Sequence, residues 1–182
     1  MGSIEKQEPS KRLNSGFEGE DDNNLKGPFD PNDIDVDISV VNLGSLLEQL
    51  EYREIDLKPE FQRSSDVWSR ESKSRLIESI LLGLPLPSFY FSEDPATNKL
   101  VIVDGLQRLC ALKDFWIDKK LVLEGMQFLT DLEGKAVGDL DRTQIRRIKS
   151  LKVTLNTLRK NTPPEVKFVI QVSQVQLADS IL

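Results

Sequence analysis

The most informative segment of the sequence is Lys99–Arg108, which reads KLVIVDGLQR. Its first half is a short apolar run rich in β-branched residues, which is typical of a strand. After it, Leu109, Leu112 and Trp116 recur at helical spacing. The pattern therefore predicts a strand that turns directly into a helix, with Asp104–Arg108 at the turn.

This turn has the residues of an anion site. Gly105 allows a tight backbone turn, and the amides of a first helical turn have no acceptor inside the helix, so they attract anions. Helical spacing predicts that Arg108 lies on the exposed side of the helix, where its donors can clamp a phosphate, and Asp104 can hold a metal ion or a hydroxyl. The residues alone leave open a second interpretation, a capped helix whose arginine is merely solvated.

The amino-acid composition limits which classes of function are possible. A chain of 182 residues supports one domain of ordinary size and a tail. It contains no histidine, which removes the usual base of nucleophilic triads and the commonest metal ligand. The single cysteine, Cys110, allows neither an internal disulfide nor a thiolate zinc site, so a cytoplasmic setting fits best. No apolar stretch approaches the roughly 20 residues that span a bilayer, and no membrane span is expected.

The charge argues against duplex binding by the chain as a whole. The formal net charge is −6 and the sequence pI is near 4.9. A basic stretch is the local exception. It consists of Arg142, Arg146, Arg147, Lys149 and Lys152. Two aspartates lie nearby, and a solvated helix face explains the stretch better than a nucleic-acid patch.

Composition divides the chain into three parts. Residues 1–33 are rich in Glu, Asp, Asn, Ser and Gly, so we expect a disordered acidic tail. Residues 34–160 form the expected domain. Its first element is Ile34–Val40, whose apolar/polar alternation predicts a half-buried strand. Asn42 is then expected to cap a helix with four leucines on one face.

The middle of the domain is expected to contain a helix and a hairpin. Ser69 is typical of a helix N-cap, and the helix that it begins should end at Gly83. The strands of the hairpin are Ser88–Ser92 and Lys99–Val103, joined by a turn over Asp94–Asn98. This hairpin delivers the motif to the start of the next helix.

The C-terminal segment, residues 161–182, carries conflicting signals. Thr162 is placed as a helix cap and Glu165 as the partner in a capping box, whereas the β-branched residues that follow favour a strand. We predict a helix. Its apolar side chains exceed what a short terminal element usually exposes, so residues 164–182 are expected to form an interface with a partner or a second copy.

Four ordered blocks of the sequence resemble a known family. They are PEFQR at residues 59–63, WSR at 68–70, LIESILLGLPLP at 76–87 and VDGLQRL at 103–109. In this order they resemble the N-terminal domain of GmrSD-type restriction enzymes, whose motif reads Asp-Gly-Gln-Gln-Arg. The resemblance implies an α+β domain of the ParB/sulfiredoxin-like fold, with a small mixed sheet flanked by helices.

The resemblance also implies site residues and a function. It implies a nucleotide-binding regulatory domain that elsewhere is joined to an HNH nuclease domain in defence against modified phage DNA. The phosphate-site residues carried over are Asp104, Gly105, Gln107 and Arg108, with Gln62 and Arg63 as the opposing wall. Leu106 departs from the motif, because a glutamine stands there in the family. Gln171–Leu182 does not match the family's continuation, and the nuclease half is expected to be absent.

Three functions compete at this point. The leading hypothesis is a nucleotide-sensing module that binds an NTP with Mg²⁺, the phosphates bridging Arg63 and Arg108. The second is a ParB-like DNA-binding adaptor that uses the basic stretch. The third is a non-catalytic interaction or inhibitor module, with a nuclease subunit among the expected partners. We expect that the chain alone neither cuts DNA nor binds it readily.

Hydrolysis of the nucleotide is left open. Phosphoryl transfer needs positioned charge more than a histidine base, so Asp104 or Glu78 with a divalent ion would suffice. Asp104 is the expected metal ligand. Glu78 is equally well explained by a structural pairing with Arg75 or Lys73.

Overall fold

The computed structural model describes residues 30–57 and 67–170. Its strands are β1 (Val36–Asn42), β2 (Ile55–Asp56), β3 (Phe89–Glu93), β4 (Leu100–Asp104) and β5 (Lys152–Leu158). Its helices are α1 (Leu43–Glu51), α2 (Arg70–Leu82), α3 (Leu106–Leu112) and α4 (Arg142–Ser150). The α3 helix continues into a π-helical turn, Lys113–Ile117, and residues 165–170 are also helical.

The five strands form a mixed sheet in the order β1-β5-β3-β4-β2. β5 is antiparallel to β1 and parallel to β3, while β4 is antiparallel to β3 and parallel to β2. The expected α+β domain with a small mixed sheet and helices is therefore confirmed. The expected tail lies outside the described residues except for its end, where Pro31–Asp33 forms a 3-10 turn.

The first strand presents the opposite face from the one expected. Its alternation predicted a buried apolar side, but Ile38 and Val40 are 68% and 62% exposed. β1 runs without a loop into α1, and Val41, beside this junction, packs against the core. Because side chains alternate between the faces of a strand, a core-facing Val41 places Ile38 and Val40 outside. The strand is confirmed, and the predicted inward face was wrong.

The cap of α2 and the hairpin turn form as expected, whereas Asn42 precedes α1 but makes no side-chain cap hydrogen bond. Thr162, the other expected cap, instead donates its hydroxyl to the Asp35 carbonyl oxygen (2.9 Å). Ser69 Oγ accepts a hydrogen bond of 3.1 Å from the Ser72 N–H, and α2 ends at Gly83 with φ 79°. In the β3–β4 hairpin, Asp94 Oδ1 accepts a hydrogen bond of 2.8 Å from the Ala96 N–H. These polar contacts fix where α2 starts and where the chain reverses toward the motif.

One hydrophobic core holds the helices against the sheet. Its largest fully buried side chains include Leu43, Leu46, Ile77, Ile80, Phe89, Phe91, Leu109, Leu112 and Phe115. Each such side chain stabilises the fold by roughly 1.5 to 3 kcal/mol through removal from water. Leu109 and Leu112 confirm the expected buried stripe of α3, and Trp116 packs on the edge of the core. The core thus fixes the start of α3 beside β3.

Candidate functional site

The motif turn, Asp104–Arg108, joins β4 directly to α3. Gly105 stands at the junction with φ 99°, a left-handed conformation that favours glycine. A Cβ at this position would lie 2.6 Å from Phe89 Cδ1 and 3.1 Å from Arg108 Nη2. Backbone conformation and close packing therefore both require glycine here. The predicted passage from strand through turn to helix is confirmed.

Arg108 lies folded back on the hairpin. Its Nη2 donates hydrogen bonds of 2.9 Å to Asp104 Oδ2 and 3.2 Å to the Ser88 carbonyl oxygen. Its Nη1 donates to the Pro87 carbonyl oxygen, and its Cζ lies 4.6 Å from the centre of the Phe89 ring. The side chain is only 11% exposed. The expectation of an exposed arginine on α3 was wrong, because the carbonyls that precede β3 and the Phe89 ring hold it.

The electrostatics of the motif turn are those of a partly buried ion pair. Burial lowers the pKa of Arg108, and the charge of Asp104 and its hydrogen bond act in the opposite direction. Arginine nonetheless stays protonated in proteins, so Arg108 keeps its positive charge. Asp104 therefore offsets part of the positive charge of Arg108, and the backbone amides at the start of α3, which have no acceptor within the helix, add hydrogen-bond donors at the turn.

The structure brings together some of the sequence-predicted site residues. Asp104, Gly105 and Arg108 are in contact around the turn. Gln107 follows in the first turn of α3 and is half-buried. The expected opposing wall, Gln62 and Arg63, lies outside the described residues.

Glu78 lies in α2 and is 3% exposed. One of its carboxylate oxygens accepts hydrogen bonds from the backbone N–H groups of Gln127 (3.0 Å), Phe128 (2.7 Å) and Leu129 (2.8 Å). Arg75 pairs instead with Glu71, at 2.9 Å. The contacts of Glu78 are therefore those of a clamp on the loop at residues 127–129. Its catalytic role stays a prediction.

The hydrogen bonds of the loop keep Glu78 charged. Burial by itself raises the pKa of the carboxyl, but the backbone N–H groups of Leu129, Phe128 and Gln127, helped by the charge of Arg75, lower it below the ordinary value. A buried carboxylate with several N–H donors is stable as an anion. Glu78 is thus a fixed negative charge at neutral pH.

Sequence reasoning missed a buried ion pair between Lys73 and Asp114. Lys73 Nζ lies 2.7 Å from Asp114 Oδ2, and their side chains are 7% and 4% exposed. The signal was present in the sequence, because Asp114 interrupts a run of core residues just before Phe115. A charged residue within an apolar stripe requires a buried partner. The partner itself, 41 positions earlier on α2, could not be identified from local spacing.

The basic stretch forms one exposed side of α4 and its exit. Exposed positions are Arg142, Arg146, Arg147, Lys149 and Lys152. Ile148, on the other side of the helix, is 2% exposed and belongs to the core. Lys149 Nζ also lies 5.5 Å from the centre of the Trp116 ring. The stretch is thus the solvated face of an amphipathic helix, as expected.

Comparison with known proteins supplies the family. The model of the family described as "GmrSD restriction endonuclease, N-terminal domain" matches residues 43–177. The match extends past Gln171 to residue 177. The expectation that Gln171–Leu182 does not match the family was therefore wrong in part. Searches of the curated proteins and of the solved structures found no match. Within the described residues, no helix has the length and apolar character needed to cross a membrane. With most of its residues matched, the chain belongs to the GmrSD restriction endonuclease N-terminal domain family.

Proposed function

We propose that this chain is a nucleotide-binding regulatory domain of the ParB/sulfiredoxin-like fold, acting in restriction of modified phage DNA. The observation that carries the proposal is the motif turn, a strand, a required glycine and a helix start, in a chain of the GmrSD family. Turns of this kind leave backbone N–H groups directed at a bound anion. A phosphate of the nucleotide is the ligand that fits such a turn.

The phosphate would lie against the backbone at the start of α3. Gly105 has no side chain to cover this backbone, and a Cβ would disturb Phe89 and Arg108. Arg108 is held by two carbonyl oxygens, so it would contribute a fixed positive charge and would not swing out to reach the ligand. Fixed donors lose less conformational entropy on binding than mobile ones.

Magnesium would have to be bound jointly by the protein and the nucleotide. Across residues 30–57 and 67–170, no group of three or more His, Cys, Asp or Glu residues is placed to hold a metal ion. Asp104, 26% exposed, offers one carboxylate at the turn. This fits Mg²⁺, which often takes one or two carboxylates together with phosphate oxygens and water. In this proposal Asp104 holds the ion, and Glu78 supports the fold through the loop at residues 127–129.

Calorimetric titration with the four ribonucleoside triphosphates, with and without Mg²⁺, tests the proposal. At least one should bind with a Kd below about 1 mM. Asp104→Asn should weaken nucleotide binding in the presence of Mg²⁺ more than nucleotide binding without the ion. The change removes a metal ligand and retains the size of the side chain. Glu71→Gln on the exposed side of α2 is the matched control. Absence of binding by all four nucleotides would contradict the proposal.

A second candidate function rests on the basic face of α4. Five exposed cationic residues on one helix and its exit fit the backbone of a nucleic acid, as in a ParB-like adaptor. The net charge of the whole chain opposes it. Duplex binding that falls steeply with salt, and that reversal of charge at Arg146 and Arg147 abolishes, would favour this candidate.

A further inference from the structure

A cleft of about 300 Å³ lies between the start of α2 and the end of the π-helical turn. We call it the Asp114 cleft. It is lined by Trp68, Arg70, Lys73, Asp114, Lys120 and Leu121. None of these residues belongs to the motif turn, and Asp114 lies nine positions along the helical segment from Gly105, about 13 Å at the rise of an α-helix. The cleft is thus a place on the molecule separate from the motif turn.

The cleft is built around a carboxylate held between two lysines. Lys73 Nζ lies 2.7 Å from Asp114 Oδ2, and Lys120 Nζ lies 2.9 Å from Asp114 Oδ1. Lys73 and Asp114 are buried, whereas the Lys120 side chain is 57% exposed. The buried pair of Lys73 and Asp114 therefore forms the floor of the cleft, and Lys120, the outer lysine, lies at its mouth.

The backbone holds Lys120 in this position. The Asp114 carbonyl oxygen accepts hydrogen bonds from the N–H groups of Lys120 (2.9 Å) and Leu121 (3.2 Å). Lys119 adopts φ 54°, which turns the chain back toward the helix just before Lys120. Because the side chain and the carbonyl of Asp114 both bind this loop, the outer lysine is positioned before any ligand arrives.

The balance of charge in the cleft is positive. Three cationic side chains, Arg70, Lys73 and Lys120, line the cleft with the carboxylate of Asp114. A second carboxylate, Asp118 Oδ2, lies 3.7 Å from Lys120 Nζ, so three cations face two carboxylates. Arg70 is exposed and makes no ion pair with any other residue of the described ranges. It stands at the first position of α2, where the helix dipole adds positive potential. In a chain with a net charge of −6, this concentration of cations selects for an anion.

We propose that the Asp114 cleft binds the phosphate group of a small molecule, between Arg70 and Lys120 above the buried Lys73. The volume is at the lower end of small-molecule sites, so it suits a phosphate ester of modest size. Trp68 supplies an apolar wall for the organic part. Phosphate accepts hydrogen bonds from lysine and arginine at once, and Asp114 keeps the two lysines apart and oriented.

Titration of the full chain with inorganic phosphate, ribose 5-phosphate, ATP and adenosine, followed by amide NMR, tests this proposal. The three phosphate-bearing compounds should shift the amide resonances of Arg70, Lys120 and Leu121, and adenosine should not. The compound that binds most tightly among free phosphate, the sugar phosphate and the nucleotide indicates which kind of molecule supplies the phosphate group. No shift at the cleft with any phosphate compound would overturn the proposal.

The variants Arg70→Ala and Lys120→Ala should each weaken phosphate binding at the cleft by about tenfold or more, the loss of one charge-assisted contact. Lys99→Ala, which removes one positive charge from the exposed hairpin turn, should leave it unchanged. Because Arg70 and Lys120 are exposed, the melting temperatures of both variants should stay near that of the parent chain. If Lys120→Ala fails to fold, the phosphate affinity of Arg70→Ala is the test. Parent-like phosphate binding by Arg70→Ala would overturn the proposal. The Gly105 amide reports separately on the motif turn.

Discussion

Arg108 Nη2 lies 2.9 Å from Asp104 Oδ2, and the same guanidinium donates to the carbonyl oxygens of Pro87 and Ser88. One side chain therefore ties the start of α3 to both ends of the hairpin that precedes it. A residue expected to reach toward a ligand is held in place by the protein. Its positive charge is available at the motif turn, and its removal also affects the fold.

The first prediction is that Arg108→Ala destabilises the domain. The change leaves Asp104 without its ion pair and the Pro87 and Ser88 carbonyls without their donor. Hydrogen bonds to a charged group contribute about 1.5 to 3 kcal/mol each at most, so we expect a loss of about 2 to 4 kcal/mol in the free energy of unfolding. Urea denaturation measures it.

The control for this variant is Arg142→Ala, since Arg142 is exposed at the start of α4. It should change the free energy of unfolding by no more than about 0.5 kcal/mol. Arg108→Lys should fall between the parent and the alanine variant, because an ammonium lacks the fork of donors. Equal stability of Arg108→Ala and the parent would show that the contacts of the guanidinium contribute nothing.

The second prediction concerns Gly105→Ala. An alanine here combines a left-handed φ of 99° with a Cβ placed 2.6 Å from Phe89 Cδ1, a buried ring that cannot move freely. We expect a loss of about 2 to 4 kcal/mol, from backbone strain together with overpacking. Gly83→Ala tests the strain alone, because its φ is 79° and nothing lies near its Cβ position. If both variants lose the same amount, the contact with Phe89 is not a cause.

The third prediction is a pH dependence that arises from Glu78. Burial raises the pKa of this carboxyl, yet the hydrogen bonds from the loop at residues 127–129 bring it below the ordinary value of 4.5. A group with a lower pKa in the folded state stabilises the fold above its unfolded pKa, and this contribution is lost as pH falls through the folded pKa. The parent chain should therefore lose stability as the pH falls below about 4.5.

Glu78→Gln isolates that effect. It replaces a charged acceptor by a neutral amide, and we expect a loss of about 1 to 3 kcal/mol at pH 7. Thermal melts from pH 7 to pH 3 should show a smaller fall in stability for the variant than for the parent. Glu71→Gln, on the exposed part of α2, should retain the pH dependence of the parent. A variant whose stability falls with pH as steeply as that of the parent would remove Glu78 as the cause.

The fourth prediction concerns the C-terminal helical residues. Phe168 is 69% exposed and Val169 is 48% exposed, which is unusual for large apolar side chains next to each other. We expect the chain to form dimers at high concentration and Phe168→Ser to shift it toward the monomer in sedimentation velocity. Tyr52→Ser, another exposed aromatic far along the chain, should not. A monomeric parent at all concentrations would contradict the expected homodimer.

Features set by neighbours in the sequence were predictable. Ser69, Gly83 and the turn at Asp94–Asn98 act on residues only a few positions away, and the motif turn follows from a strand pattern beside a helix pattern. The face of β1 was not predictable, because which side of a strand is buried depends on how the next helix packs.

The partners of the charged side chains were also hidden from local patterns. Arg108 donates hydrogen bonds to backbone carbonyl oxygens about 20 positions earlier, and Glu78 accepts hydrogen bonds from backbone N–H groups about 50 positions later. Helical spacing placed Arg108 on the exposed side, whereas the hairpin covers that side in the fold. The sequence identifies such residues as charged groups near a core. Only the tertiary structure shows which hydrogen-bond partners offset the cost of burying their charge.

Amide NMR of the full chain, titrated with ATP, CTP, GTP and UTP in the presence of Mg²⁺, shows directly whether the motif turn binds nucleotide phosphates. We predict that at least one nucleotide causes saturable shifts of the Gly105 and Leu106 amides, with the same midpoint for both. Asp104→Asn should move that midpoint to a higher nucleotide concentration. Shifts that spare the motif turn, or no shift with any of the four nucleotides, would contradict the claim that this turn binds the phosphates.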